Sequence, residues 1–201
     1  MSKDYPVPAG FLERETTVRK SRFIARVVPV SSRDEVKSWL DRVHEDHPDA
    51  RHICWAYQIG RPGAAAEAAM NDDGEPSGTA GKPILSVIQH KDMGDVLVMV
   101  IRYFGGIKLG AGGLVRAYAG AAESVLSEVD REIQKPMLAV TVTMTFADEQ
   151  PVRHWCEQHS SLVDHVEYGT GVTMTVSLPE EQCGALAAFC DARAMHYSFD
   201  S

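Results

Sequence analysis

The run DVLVMVIRYFGGIKLGAGGLVRAYAGAA, residues 95–122, constrains the fold more than any other stretch. VLVMVI is apolar at every position, which predicts a strand buried on both faces from Asp95 to Tyr103. Gly105, Gly106, Gly110, Gly112 and Gly113 follow, and helical spacing sets in from about Gly112 to Val129. A buried strand, a glycine loop and a long helix need a sheet covered by helices. Glycine supplies positive φ or close approach to the backbone. The free N–H groups and macrodipole of a helix start favour an anion. Arg102, Lys108 and Arg116 place positive charge in the same stretch. A second reading is equally physical: the glycines serve tight turns, and Gly113, Ala117, Gly120, Ala121 and Ser124 form a small-residue stripe for helix–sheet packing. Neither the dinucleotide fingerprint nor the P-loop is spelled out.

The rest of the N-terminal part is less regular. Phe11 to Val18 and Arg22 to Val28 predict two strands joined around Lys20-Ser21. Ser32 caps a helix over Arg33 to Glu45, with Val36, Trp39, Leu40 and Val43 at helical spacing. Ile53 to Ile59 predicts a strand, 60–82 a long loop, and Pro83 to Gln89 a helix that Thr79 would cap. Within that loop lies NDDGEPSGTAGKP, residues 71–83. Asp72, Asp73 and Glu75 there have the chemistry to hold Mg²⁺, and Thr79, Gly81 and Lys82 to contact an anion. A solvated acidic loop is the plainer reading.

SEVDREIQKP, residues 127–136, reads as a helix end, a polar stretch and a proline, so a domain boundary is expected near residue 135. Charge shifts at the same place. Residues 1–131 hold 17 Lys+Arg against 18 Asp+Glu, and residues 132–201 hold 3 against 10. Leu138 to Phe146 predicts a strand, and Asp148 caps a helix to about His159. Ser161 to Tyr168 and Val172 to Leu178 predict a hairpin, then come a helix from Pro179 and a strand from Met195 to Phe199. The order βαββαβ is the ferredoxin-like pattern. An α+β fold of two small domains, 1–135 and 136–201, follows.

Several functions are disfavoured. The net charge of −8 opposes binding nucleic acid through bulk charge. Cys54, Cys156, Cys183 and Cys190 form no C-x-x-C pair, and four scattered thiols fit a reducing compartment. The N-terminus has no signal-peptide run, and Val96 to Ile101 is too short to span a bilayer, so a cytoplasmic protein without a membrane partner is expected. His44, His47 and His52 resemble a metal cluster only on paper, since Pro48 and Asp49 end the helix between them. No nucleophile elbow occurs, and Cys54 beside His52 is no more than a strand residue.

Four segments in this order, KSRFIA (20–25), HPDARHICWAY (47–57), DDGEPSGTAGKPIL (72–85) and RYFGGIKLGAGGLVRAYAGA (102–121), together resemble the YigZ/IMPACT family. That resemblance implies an N-terminal domain like elongation factor G domain IV and a C-terminal domain like its domain V. It also implies a link to translation, because the family's eukaryotic members regulate translation, although through an additional N-terminal domain. The expectation is a binding protein rather than an enzyme, with no cofactor and no metal. RNA or the ribosome would meet Arg102, Lys108, Arg116 and Lys82, with Gly105, Gly106, Gly110, Gly112 and Gly113 allowing close approach. Alternatives are a nucleotide- or phosphate-binding protein like GHMP kinases, whose glycine-rich loop is loosely similar, and a pure protein-interaction module. The sequence leaves the partner and the oligomeric state open.

Overall fold

The computed structural model describes residues 4–135 and 137–199. The chain divides into two compact units, residues 1–134 and 135–201. Pro136, the proline of the expected linker, lies outside the described residues.

In the first unit the elements run β1 (Tyr5–Pro8), β2 (Leu12–Val18), β3 (Ser21–Pro29), α1 (Arg33–Asp46), β4 (His52–Ile59), β5 (Glu67–Asn71), α2 (Gly81–His90), β6 (Val96–Tyr103), α3 (Ala111–Glu128) and β7 (Arg131–Gln134). The order β2-β3-β6-β4-β5 makes a five-stranded antiparallel sheet. Strand β6, apolar from Val96 to Ile101, sits at its centre because both its faces are covered. Val96, Val98 and Val100 join Phe23, Cys54 and Ala56 under α2 and α3, through Ile84, Ile88, Leu114, Tyr118 and Val125. Leu97, Met99 and Ile101 pack with Ile24, Ile53 and Tyr57 against Val36 and Val43 of α1. Ser32 caps α1, its side chain accepting from the Glu35 N–H.

Three expectations need correction here. The stretch 60–82 is not all loop: 67–71 forms β5, a short edge strand whose small side chains carry little pattern. Thr79 does not cap α2. Its hydroxyl donates to the Pro76 carbonyl, and the Asp72 carboxylate takes the helix-start N–H groups instead. The polar stretch after α3 is not a bare linker: β7 pairs antiparallel with β1, Tyr5 opposite Gln134. Tyr5 also ties this ribbon to the sheet, its hydroxyl donating to Asp95 at 2.7 Å.

The second unit runs β8 (Met137–Met144), α4 (Glu149–Gln158), β9 (Leu162–Tyr168), β10 (Val172–Pro179), α5 (Cys183–Asp191) and β11 (His196–Phe199). Its antiparallel sheet has the order β11-β8-β10-β9. Alternate residues Val140, Val142 and Met144 of β8, with Val172, Met174, Val176 and Leu178 of β10, form the core with Val152, Trp155, Leu186 and Cys190 of the helices. Asp148 does not cap α4. It ends a short 3₁₀ turn, and its carboxylate accepts from the Thr145 hydroxyl.

A candidate anion and nucleic-acid site at the start of α3

Arg102 is the penultimate residue of β6, opposite Phe23 on β3 and His52 on β4. It shares the face that α3 covers, so its side chain enters the interior and is only 9% exposed. Nη1 donates to Glu75 Oε1 at 2.6 Å, and Tyr118 of α3 donates to the same oxygen at 2.8 Å. The guanidinium lies 5.7 Å from the ring centres of both Phe23 and Phe104. Its Nε is buried with no hydrogen-bond partner among the described residues. Arg102 is therefore not a surface cation, as the sequence suggests, but half of a buried ion pair. Sequence alone cannot show this, because arginine is rarely buried unless paired and the pairing carboxylate is 27 residues away.

The acids of the 71–83 loop are all engaged by the fold. Asp72 accepts from the backbone N–H groups of Gly78, Ala80 and Gly81 at 2.7, 3.0 and 2.8 Å. Desolvation pulls its pKa up, but those three bonds outweigh it and leave the carboxyl below its ordinary value. Asp73 accepts from the Ile53 N–H at 2.6 Å. No group of three or more His, Cys, Asp or Glu side chains is placed to hold a metal among the described residues. Burial pushes the Cys54 thiol up to about 12 despite a bond with Tyr118, so it is protonated at neutral pH and a poor nucleophile. Burial also raises the Tyr118 phenol, with Cys54 and Glu75 adding to the effect.

The glycines divide by role. A Cβ on Gly105 would fall 2.0 Å from the Lys20 carbonyl carbon, so this glycine lets the loop seat against the β2–β3 turn. That turn holds Arg19 and Lys20 at φ 46° and 65°, the conformation a tight two-residue hairpin requires. Gly106 and Gly110 take positive φ. Gly110 precedes the first turn of α3, which has neither a side-chain cap nor an acidic residue. Gly112 and Gly113 lie in that turn, and a Cβ on Gly113 would meet Leu109 at 3.0 Å.

A cavity of about 630 Å³ opens at this helix start. Arg102, Lys108 and Gly110 line it together with Arg51, His52 and Phe104. Arg116 and Gly113 line a separate recess of about 170 Å³ with Arg19, and Leu109 borders both. Lys82 is exposed on the first turn of α2 and borders neither. Sequence reasoning missed His52, Phe104, Arg51 and Arg19. The signal for the first was the set His44, His47 and His52, whose likeness to a metal cluster concealed the difference between them. His47 bonds the Tyr103 hydroxyl and Arg26, whereas His52 Nδ1 bonds the Asp73 carbonyl at 2.8 Å. A carbonyl only accepts, so Nδ1 carries the proton and the neutral ring keeps Nε2 as an acceptor.

Residues 19–126 match the model of the Impact N-terminal domain family. The chain belongs to the IMPACT family. Residues 142–189 match a domain of unknown function, DUF1949. The chain is 31% identical over 185 residues to an IMPACT family member of Haemophilus influenzae, spanning 92% of this chain and 90% of that one. It is 31% identical over 182 residues to the IMPACT family member YigZ of Escherichia coli, spanning 90% and 89%. A crystal structure described as that of a hypothetical protein superposes with a TM-score of 0.89 at 28% identity, covering 100% of this chain and 99% of its own. No helix among the described residues is long and apolar enough to cross a membrane.

Proposed function

We propose that this IMPACT-family chain is a noncatalytic, translation-linked protein that contacts RNA or the ribosome through its first unit. One observation carries the reading. Arg19, Lys108 and Arg116 are exposed around Leu109, with no carboxylate partner among the described residues, next to the exposed ring of Phe104. Cations that track a phosphate backbone beside a ring that stacks a base are what single-stranded RNA binding needs. The translation link rests on the family and is therefore an analogy. The first unit is close to neutral, so the attraction is local and salt-sensitive.

The test is RNA affinity as a function of salt, for the unaltered protein and for R19A/K108A/R116A. Each lost phosphate contact removes about 0.7 from the log–log slope for single strands, so the triple variant should lose about 2. All three side chains are exposed, and each substitution should change stability by no more than about 0.5 kcal/mol. An unchanged slope moves the RNA face elsewhere. No binding of single-stranded RNA at ~50 mM salt removes the reading in favour of a protein-interaction surface around the exposed Phe104, Ile107 and Val115.

A further inference from the structure

The cavity at the start of α3 has the makings of more than a patch of backbone contacts. Its floor is the N-terminus of an 18-residue helix whose first turn contains no acid and receives no side-chain cap. The unpaired N–H groups and the positive pole of the helix there favour a group bearing negative charge. A second observation is independent of the helix. Arg102 borders the cavity, its side chain is nine-tenths buried, and its Nε has no partner among the described residues. An unsatisfied buried donor is costly, and a small turn of the guanidinium toward the cavity would offer it to an acceptor arriving there. The volume of about 630 Å³ falls within the range of small-molecule sites.

The lining narrows the ligand. Arg51, Arg102 and Lys108 face two carboxylates, Asp49 and Glu75, and Glu75 is already committed to Arg102 and Tyr118. Lys108 is exposed and has no carboxylate partner among the described residues, and it suits a phosphate as a point charge. Phe104, 58% exposed, offers a ring face for a base. With Nδ1 bonded to the Asp73 carbonyl, Nε2 is the acceptor of the neutral His52 ring and in that form suits a ribose hydroxyl.

We infer that this cavity is a ribonucleotide pocket, taking one nucleoside monophosphate unit with its phosphate at the α3 N-terminus and its base on Phe104. The unit is either a free mononucleotide or the phosphorylated end of a single RNA strand. The inference deepens the RNA reading above and rests on it only for the second source.

Calorimetric titration with AMP and with inorganic phosphate at low salt tests the pocket. AMP should bind more tightly than phosphate. Phe104→Ala should weaken AMP roughly tenfold, as loss of base stacking does, and leave phosphate unchanged. Ala111→Glu places a carboxylate at the exposed first position of α3, where negative charge suits the helix. It should keep the melting temperature at or slightly above that of the unaltered protein and abolish binding of both probes. Lys108→Ala, in the exposed loop, is the second variant and should weaken both at least fivefold. Short RNA strands with and without a 5′-phosphate separate the sources. Tighter binding of the phosphorylated strand identifies a strand end, and AMP binding with no such gain identifies the free nucleotide. If neither AMP nor phosphate binds, or Ala111→Glu leaves binding intact, the pocket is refuted. Salt-dependent RNA binding without AMP or phosphate binding would leave the surface reading standing and remove the pocket alone.

Discussion

Helices α2 and α3 cover the same face of the same sheet, and each starts after a loop containing glycine, yet their N-termini are finished in opposite ways. At α2 the chain supplies its own anion, with Asp72 gathering the N–H groups of Gly78, Ala80 and Gly81. At α3 the preceding residue is Gly110, no side chain caps the first turn, and the helix start opens on a cavity. One need, compensation of the helix pole, is met internally in the first case and left to an incoming group in the second. Glu75 links the two regions, since it sits three residues after Asp72 but bonds Arg102 and the α3 residue Tyr118.

The largest effect is expected from cutting that link. Glu75→Ala strands the Arg102 charge in the interior, and removing one partner of a buried pair costs about 3–5 kcal/mol. A urea titration reads this as a large fall in midpoint. A loss below ~1 kcal/mol, the range of an exposed pair, would show that the pair is solvated and that the α3 end is less enclosed than described.

Emptying the α2 end comes next. Asp72→Ala should cost about 2 kcal/mol, the upper range for losing a helix cap. The folded-state pKa of Asp72 lies below its unfolded value, so the unfolded chain takes up the proton first as pH falls. The stabilisation is therefore complete above the unfolded pKa of about 4 and is lost on descending through the lower, folded value. The gap in thermal midpoint between the unaltered protein and Asp72→Ala should close below about pH 4. A gap that persists in strong acid would mean that Asp72 acts through packing rather than charge.

Filling the α3 end should give the smallest change. Ala111→Glu gives α3 the negative charge that α2 already has, and should stabilise by about 0.3–1 kcal/mol, less at high salt. Destabilisation on thermal melting would show that the two helix starts differ by more than a missing anion.

The comparison also shows what a sequence can reveal. The β6–loop–α3 segment was legible because an all-apolar strand, clustered glycines and helical spacing all require one arrangement. Ser32 was legible as a cap because its bond is local. Asp72 was not, because it reaches six to nine residues along the chain, and the nearer Thr79 looked the better cap. Strands β1, β5 and β7 were missed because short edge strands bury little and show weak alternation. At the candidate site, Lys108 and Gly110 could be named from charge and spacing. The burial of Arg102 and the position of His52 depend on pairing between β4 and β6, which brings residues 50 apart in sequence opposite each other.

The β1–β7 ribbon sets a condition on how the first unit is made. Tyr5 emerges from the ribosome early, but its partner Gln134 is added nearly at the unit's end. At about 5–20 residues per second the first strand waits roughly 6–25 s for its mate. Until then its backbone donors and acceptors are open to other chains. A fragment trimmed to the matched span 19–126 would lose both strands of the ribbon together with the whole of β2, leaving β3 as a new exposed edge. Residues outside the matched span thus complete the unit: β2 covers the edge of β3, and β1 pairs with β7.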